Sequence, residues 1–263
     1  MSDFETKLQK YADVAVQVGL DFKAGQRLYV SAPIEARELA IAITRSAYRA
    51  GAEDVYVSWA EPELDKIRLR DGSDDAITAY PDWLVDGLLQ HTDDGHARIS
   101  ITCGDPDFYA NEDAGKMRAM QRSRAQKTSV ISDRVVKNVS NWNIVMSPHP
   151  AISAKLFPDL SPEEARAKHW ETIFTMCRIT GDDPVQDWKN HISDLEKRAN
   201  YLNDKGYHAL HYKSPVTDLT IGLPDGHLWK SARLEMNNGT KPVVNIPTEE
   251  VYSLAHRERI DGV

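Results

Sequence analysis

Cysteine is scarce in this sequence: Cys103 and Cys177 are the only two among 263 residues. Two cysteines in a chain of this size do not make a disulfide framework, and they point to buried thiols in a reducing cytoplasm. Positive charge is also in deficit. Lys and Arg number 32 against 40 Asp and Glu, a net charge of −8. That balance argues against a nucleic-acid binder, which would present a clustered basic face. No uninterrupted apolar run reaches the roughly 18 residues of a membrane span, so no membrane partner is expected. The opening MSDFETKLQKYADVAVQVGL carries acids early and lacks an apolar signal core, so a secretory leader is not expected. Internal repeats and low-complexity tracts are missing as well. So are G-x-G-x-x-G after a strand, G-x-x-x-x-G-K-[ST], H-E-x-x-H and G-x-S-x-G, which removes the usual signatures of dinucleotide sites, P-loops, zincins and α/β-hydrolases.

What is present is ordinary globular material, 41% hydrophobic and 27% charged. At roughly 150 residues per domain, the length accommodates one large domain or two modest ones. Phe4, Leu8, Tyr11, Ala12, Ala15 and Val18 recur at helical spacing, and Gly19 ends that run. RLYVSAP then reads as a strand stopped by Pro33. A helix follows from Glu35 to Ala50, with Gly51 as its C-cap, and DVYVSWA is the next strand. This β-α-β rhythm predicts an α/β fold with a mostly parallel sheet flanked by helices. DWLVDGLLQH reads as helix, ARISITCG as a buried strand, 112–126 as a polar helix and NWNIVMSPHP as a strand closed by prolines. SPEEARAKHWETIFTMCRI is the clearest helix. Ser161 is its N-cap, Pro162 takes the first helical position, and two glutamates suit the positive end of its dipole. Another helix runs from Pro184 to Leu202.

The texture changes after Asn203. HALHYKSPVTDLTIGLPDGHLWK reads as short strands joined by turns, and a boundary is expected near residue 204. The division is then 1–204, an N-terminal α/β domain, and 205–263, the β-rich start of a second α/β domain.

Few residues carry a chemical signal by pattern alone. Gly104 and Asp105 in CGDPD follow a strand at its carboxyl end, where open α/β sheets bind ligands, although turn chemistry alone favours a structural loop. A small-molecule-binding α/β domain centred there is one reading. His208 and His211 are three apart on a predicted strand, which puts them on opposite faces and weakens a shared metal role. In NIPTEEV, Glu249 and Glu250 are adjacent, so an extended backbone aims only one of them at a given pocket. Spacing alone favours an exposed acidic pair there, and one carboxylate does not make a metal site.

Several segments in order resemble a known family. They are APIEA at 32–36, NWNIVMSPHP with AKLFPDLSPEEA, HWETIFTMCRITGDDPV, YLNDKGYHALHYKSPVTDLTIGLPDGHLW, and NIPTEEVYSLAHRERIDGV. Together they make the chain similar to peptidase family M29, the metallo-aminopeptidases of aminopeptidase S/T type. NIPTEEV followed by HR-x-R-x-x-G is the most specific part. The resemblance implies an enzyme that removes N-terminal residues from short peptides by metal-activated water. It also implies two divalent ions per subunit, zinc or cobalt, and a homodimer. The second glutamate of PTEE is a metal ligand in the family, which makes Glu250 the candidate ligand here, with Glu249 the alternative register. The segment KSARLEMNNGTKPVV departs from the family's Gly-rich stretch. The family's chains are longer, and their other ligands lie beyond the HR-x-R motif. The sequence is therefore read as the N-terminal portion of such an enzyme, with the second domain apparently truncated and the 263-residue chain inactive alone. A non-catalytic short paralogue acting as a binding or dimerisation module is the other reading.

Overall fold

The structure is a computed structural model and describes residues 2–262. Two compact units are present: Met1–Val185 with Leu234–Pro247, and Gln186–Arg233 with Thr248–Val263. A single cut near residue 204 is a different partition, for two reasons. One long helix, Pro184–Lys205, starts at the end of the first unit and supplies the second, and the Leu234–Pro247 stretch belongs to the first.

The first unit opens with α1 (Asp3–Val14). Ser2 accepts the Glu5 N–H and the Glu5 carboxylate accepts the Ser2 N–H, a reciprocal cap that satisfies two end donors. Leu8, Tyr11, Ala12 and Val14 face inward, and the helix widens into a π-turn over Ala15–Gly19. Gly19 is required there, because a Cβ would sit 2.8 Å from the buried Asn143 amide. Strand β1 (Arg27–Pro33) buries Leu28, Val30 and Ala32 and leads through a short 3-10 turn into α2 (Arg37–Arg49). Gly51, at φ 88°, takes the left-handed position that ends this helix. Strand β2 (Asp54–Ala60) follows.

Three helices come next: α3 (Pro62–Asp71), α4 (Asp74–Thr78) and α5 (Asp82–Asp93). Strand β3 is Ala97–Thr102, and α6 runs over Ala114–Val136. Helix α6 continues ten residues beyond the expected end at 126, because no chain breaker intervenes before Asn138, which turns with φ 53°. Strand β4 (Trp142–Met146), α7 (Pro150–Leu156) and α8 (Pro162–Met176) complete the unit. Ser161 and Glu164 form a second reciprocal cap on α8.

The four strands pair in parallel in the order β2-β1-β3-β4. Val30 stands opposite Val57 on one side and Ile99 on the other. The expected α/β class and parallel sheet are therefore present. The outer side of β4 is covered by a return of the chain. Ile144 N–H donates to Val244 O at 2.8 Å, Ile246 N–H donates to Ile144 O at 3.1 Å, and Asn143 Nδ2 donates to Val243 O at 2.8 Å. This pairing satisfies an edge that would otherwise present open backbone groups. The Tyr11 hydroxyl closes the end of the same strand, accepting Met146 N–H and donating to Met146 O. Tyr11 packs edge-on to Phe174, and Phe174 stacks on Trp170 at 5.2 Å, so α1 and α8 share one aromatic core.

In the second unit, α9 (Pro184–Lys205) is followed by β5 (Ala209–Ser214) and β6 (Thr217–Gly222), with β7 at Ile260–Gly262. These strands pair antiparallel in the order β5-β6-β7. One buried cluster here joins Ala199, Leu223 and Trp229, with Leu202, Leu210 and Val251 against them, and Trp188, Ile192 and Leu195 are buried along α9. Val216, Leu228, Leu254 and Ile260 remain exposed.

Candidate metal-ligand segment

The NIPTEEV stretch is held differently along its length. Asn245 and Ile246 lie along β4 in the first unit. The chain then passes through a cis Ile246–Pro247 bond into Thr248, Glu249 and Glu250 of the second unit. There the anchor is His191, on α9. Its Nε2 lies 2.8 Å from the carbonyl oxygen of Thr248. A carbonyl only accepts, so that nitrogen carries the proton and donates. The ring is itself fixed, since Trp188, fully buried one turn earlier, meets it edge-on at 5.5 Å. Thr248 is buried, whereas both glutamates are exposed.

The two carboxylates separate as an extended backbone requires. Glu249 turns toward His191, with Oε2 at 3.5 Å from Nε2. The Glu250 carboxylate instead accepts the backbone N–H of Glu249 at 2.9 Å. That hydrogen bond favours the ionised form and is the main reason the Glu250 pKa lies below the ordinary carboxylate value. At neutral pH Glu250 is thus an exposed anion, held chiefly by the Glu249 amide with smaller contributions from the Thr248 hydroxyl and its own amide. Its hard oxygens suit a divalent cation.

A complete metal centre is not assembled around it. Among the described residues, no group of three or more His, Cys, Asp or Glu is placed to hold a metal ion. A catalytic zinc needs about three protein ligands, so the residues present fit one position of such a centre and do not by themselves form it. The other residues singled out by sequence are engaged elsewhere. Asp105 pairs with Lys155 at 2.9 Å and accepts Asp107 N–H, which lowers its pKa. His149 caps α7, its Nδ1 accepting Ala151 N–H. His211 Nε2 bonds Asp218 Oδ1 at 2.7 Å across the β5-β6 hairpin, while His208 precedes the strand. Both cysteines are buried thiols outside any disulfide, and burial pushes Cys103 up to about 11 and Cys177 up to about 12.

The family model described as thermophilic metalloprotease (M29) matches residues 4–263. The chain belongs to the thermophilic metalloprotease (M29) family. The resemblance read from the sequence segments is thereby borne out, and membership in a metalloprotease family implies a divalent metal cofactor. Aminopeptidase T of Thermus thermophilus is 35% identical over 263 residues, covering all of this chain and 64% of that protein. Aminopeptidase 2 of Geobacillus stearothermophilus is 34% identical, covering 100% and 63%. Aminopeptidase AmpS of Bacillus subtilis is 34% identical, covering 100% and 64%. A solved structure of wild-type AmpT from Thermus thermophilus superposes with a TM-score of 0.91 at 33% identity, over 98% of this chain and 64% of that one. The chain therefore spans just under two thirds of the length of these M29 relatives.

His191 falls within the helix expected from Pro184 to Leu202, where no residue was given a role. The readable signal was the spacing of Trp188 and His191, three apart and hence on one helical face. The pairing with a carbonyl 57 residues later was not readable, because hydrogen bonds to backbone oxygen leave no residue-type signature. No helix among the described residues is long and apolar enough to cross a membrane.

Proposed function

We propose that the protein serves as a metal-dependent aminopeptidase, releasing N-terminal residues from short peptides. The observation that carries this reading is identity of 35% across the whole chain to a protein named as an aminopeptidase. Glu250 is the residue assigned to the metal, and Glu249 is the alternative register. Two ions per subunit, zinc or cobalt, a homodimer, a cytoplasmic location and a domain boundary near residue 204 belong to the same proposal. A divalent ion would supply Lewis-acid activation of water for hydrolysis. The described residues contribute one carboxylate to such a centre, so the 263-residue chain is expected to be inactive alone.

The test is a fusion in which the part of Thermus thermophilus Aminopeptidase T that this chain leaves unmatched follows residue 263. With added zinc or cobalt it should release leucine from leucine p-nitroanilide. Glu250→Gln should lower turnover by about 100-fold, roughly 2.7 kcal/mol. A fusion that folds and retains metal yet releases no N-terminal residue would refute the aminopeptidase reading. Loss on Glu249→Gln with Glu250→Gln unaffected would move the ligand by one residue. Metal-dependent turnover by the unfused chain would overturn its expected inactivity.

A further inference from the structure

A groove of about 610 Å³ lies along α1 and α2 in the first unit. Phe4, Leu8 and Ile41 contribute apolar side chains to its lining, and Arg37, Arg45 and Arg49 contribute cationic ones. The arginines fall on one stripe of α2, at four-residue multiples from Arg37, and span about 18 Å of helix. All three are exposed. Among the described residues, Arg37 and Arg49 form no ion pair or hydrogen bond, and Arg45 donates only to the neutral Gln9 amide at 3.1 Å.

Other arginines of the fold are paired, Arg27 with Glu53, Arg70 with Glu112, Arg124 with Asp65, and Arg134 with Asp93, while Arg118 and Arg122 on α6 stand exposed without an ion pair among the described residues. Two acidic side chains line the groove as well, and only Glu38 has its charge met by a cation outside the lining, Arg166. Glu5 accepts the Ser2 N–H in the α1 cap, and Glu38 is held by Arg166 and by Trp170 Nε1. With Glu38 paired to Arg166, three guanidinium groups share the lining with one other carboxylate, Glu5, so the groove combines an excess of positive charge with apolar side chains.

We propose that this groove docks an acidic peptide segment, one that carries at least two carboxylates for the arginines and a bulky apolar side chain for the apolar lining. Guanidinium forks match carboxylates in a bidentate geometry, and arginine clusters recur in the recognition of acidic motifs. The spacing favours a helical occupant, whose carboxylates four residues apart would follow the arginine stripe. This inference does not rest on the aminopeptidase reading, since it uses neither Glu250 nor a metal.

The experiment is fluorescence anisotropy of the 263-residue chain with a labelled peptide of glutamate pairs and leucines, at low ionic strength. The expected result is saturable binding that weakens with salt and falls at least tenfold in Arg37→Glu/Arg49→Glu. The matched control is Arg118→Glu/Arg122→Glu on α6, which makes the same change in net charge at exposed positions and should alter affinity less than twofold. Equal loss in both double variants would overturn the proposal in favour of a diffuse field. No binding by the unmodified chain would overturn it too. Equal binding of a lysine-leucine peptide would reduce the groove to an apolar surface. A single-stranded oligonucleotide competing through the same arginines would make it a general polyanion surface. Sedimentation showing a dimer that Arg37→Glu/Arg49→Glu dissociates would replace the peptide by a second copy of this chain.

Discussion

Replacing His191 by Phe removes one hydrogen bond while keeping a ring against Trp188. In the native structure the ring donates to Thr248 O at 2.8 Å, and Thr248 is only 6% exposed. Loss of an ordinary neutral hydrogen bond costs about 1 kcal/mol, and a buried carbonyl left without a donor costs about 1–3 kcal/mol. The lower figure applies if the segment lifts enough for water to reach the carbonyl, and the upper if it stays buried. At 1.4 kcal/mol per tenfold, local opening should become about 5- to 150-fold more frequent. The reporters are the Glu249 amide, bonded to Glu250, and the Tyr252 amide, bonded to Lys230 O at 2.9 Å. Native-state hydrogen exchange reads their opening directly. Both should exchange faster in His191→Phe, whereas the amides of β1 should not change. His191→Gln, which returns an N–H donor, should recover part of the protection. Unchanged exchange at Glu249 and Tyr252 in His191→Phe would show that His191 does not hold this segment.

The buried thiols should be inert toward Ellman's reagent at pH 8 in the folded chain and should both react after denaturation; stoichiometric labelling of native protein would contradict their burial. Because folding raises both thiols above the ordinary value of 9.0, the native state holds its protons longer than the unfolded chain. Their contribution to stability is therefore complete below pH 9 and lost as pH rises through about 11 for Cys103 and about 12 for Cys177. A chain whose denaturant midpoint rose across that interval would contradict the sign. Ser161→Ala should remove the α8 cap, in which Ser161 and Glu164 exchange hydrogen bonds. The cost is about 1 kcal/mol, or roughly 2–4 °C in Tm, and calorimetry with no shift would show the cap to be energetically idle.

The parallel sheet was legible because its determinants are local. RLYVSAP and DVYVSWA are bounded by Gly and Pro, and the observed strands are Arg27–Pro33 and Asp54–Ala60. The α8 start was legible because Ser161, Pro162 and Glu164 each favour the same helical position. Helices α3 and α4 were not read, since each buries a single residue, Leu69 and Ile77, and so carries almost no periodic contrast. Their cluster with Met120 forms only when α6 is in place, which is tertiary information. The return of Val243–Ile246 along β4 was hidden for a related reason. Its partners are backbone groups and the Asn143 amide, none of which marks a strand by hydrophobic alternation.

The choice between Glu249 and Glu250 is where the structure adds most to the sequence. Alternation predicts that only one of two adjacent side chains serves a given pocket, but it does not say which. The environments differ in what each carboxylate would surrender to a cation. Glu249 lies 3.5 Å from His191, the same ring that fixes Thr248, so drawing it away would remove charge from the anchor of the segment. Glu250 would surrender chiefly a hydrogen bond from the adjacent Glu249 amide, together with weaker ones from the Thr248 hydroxyl and its own amide. The Glu249 amide is exposed enough to be taken over by water, which keeps the exchange inexpensive. The same hydrogen bond lowers the Glu250 pKa, so proton competition for its oxygens near neutral pH is weak. On these differences we propose Glu250 as the donor, with His191 holding the backbone that presents it through Thr248 O.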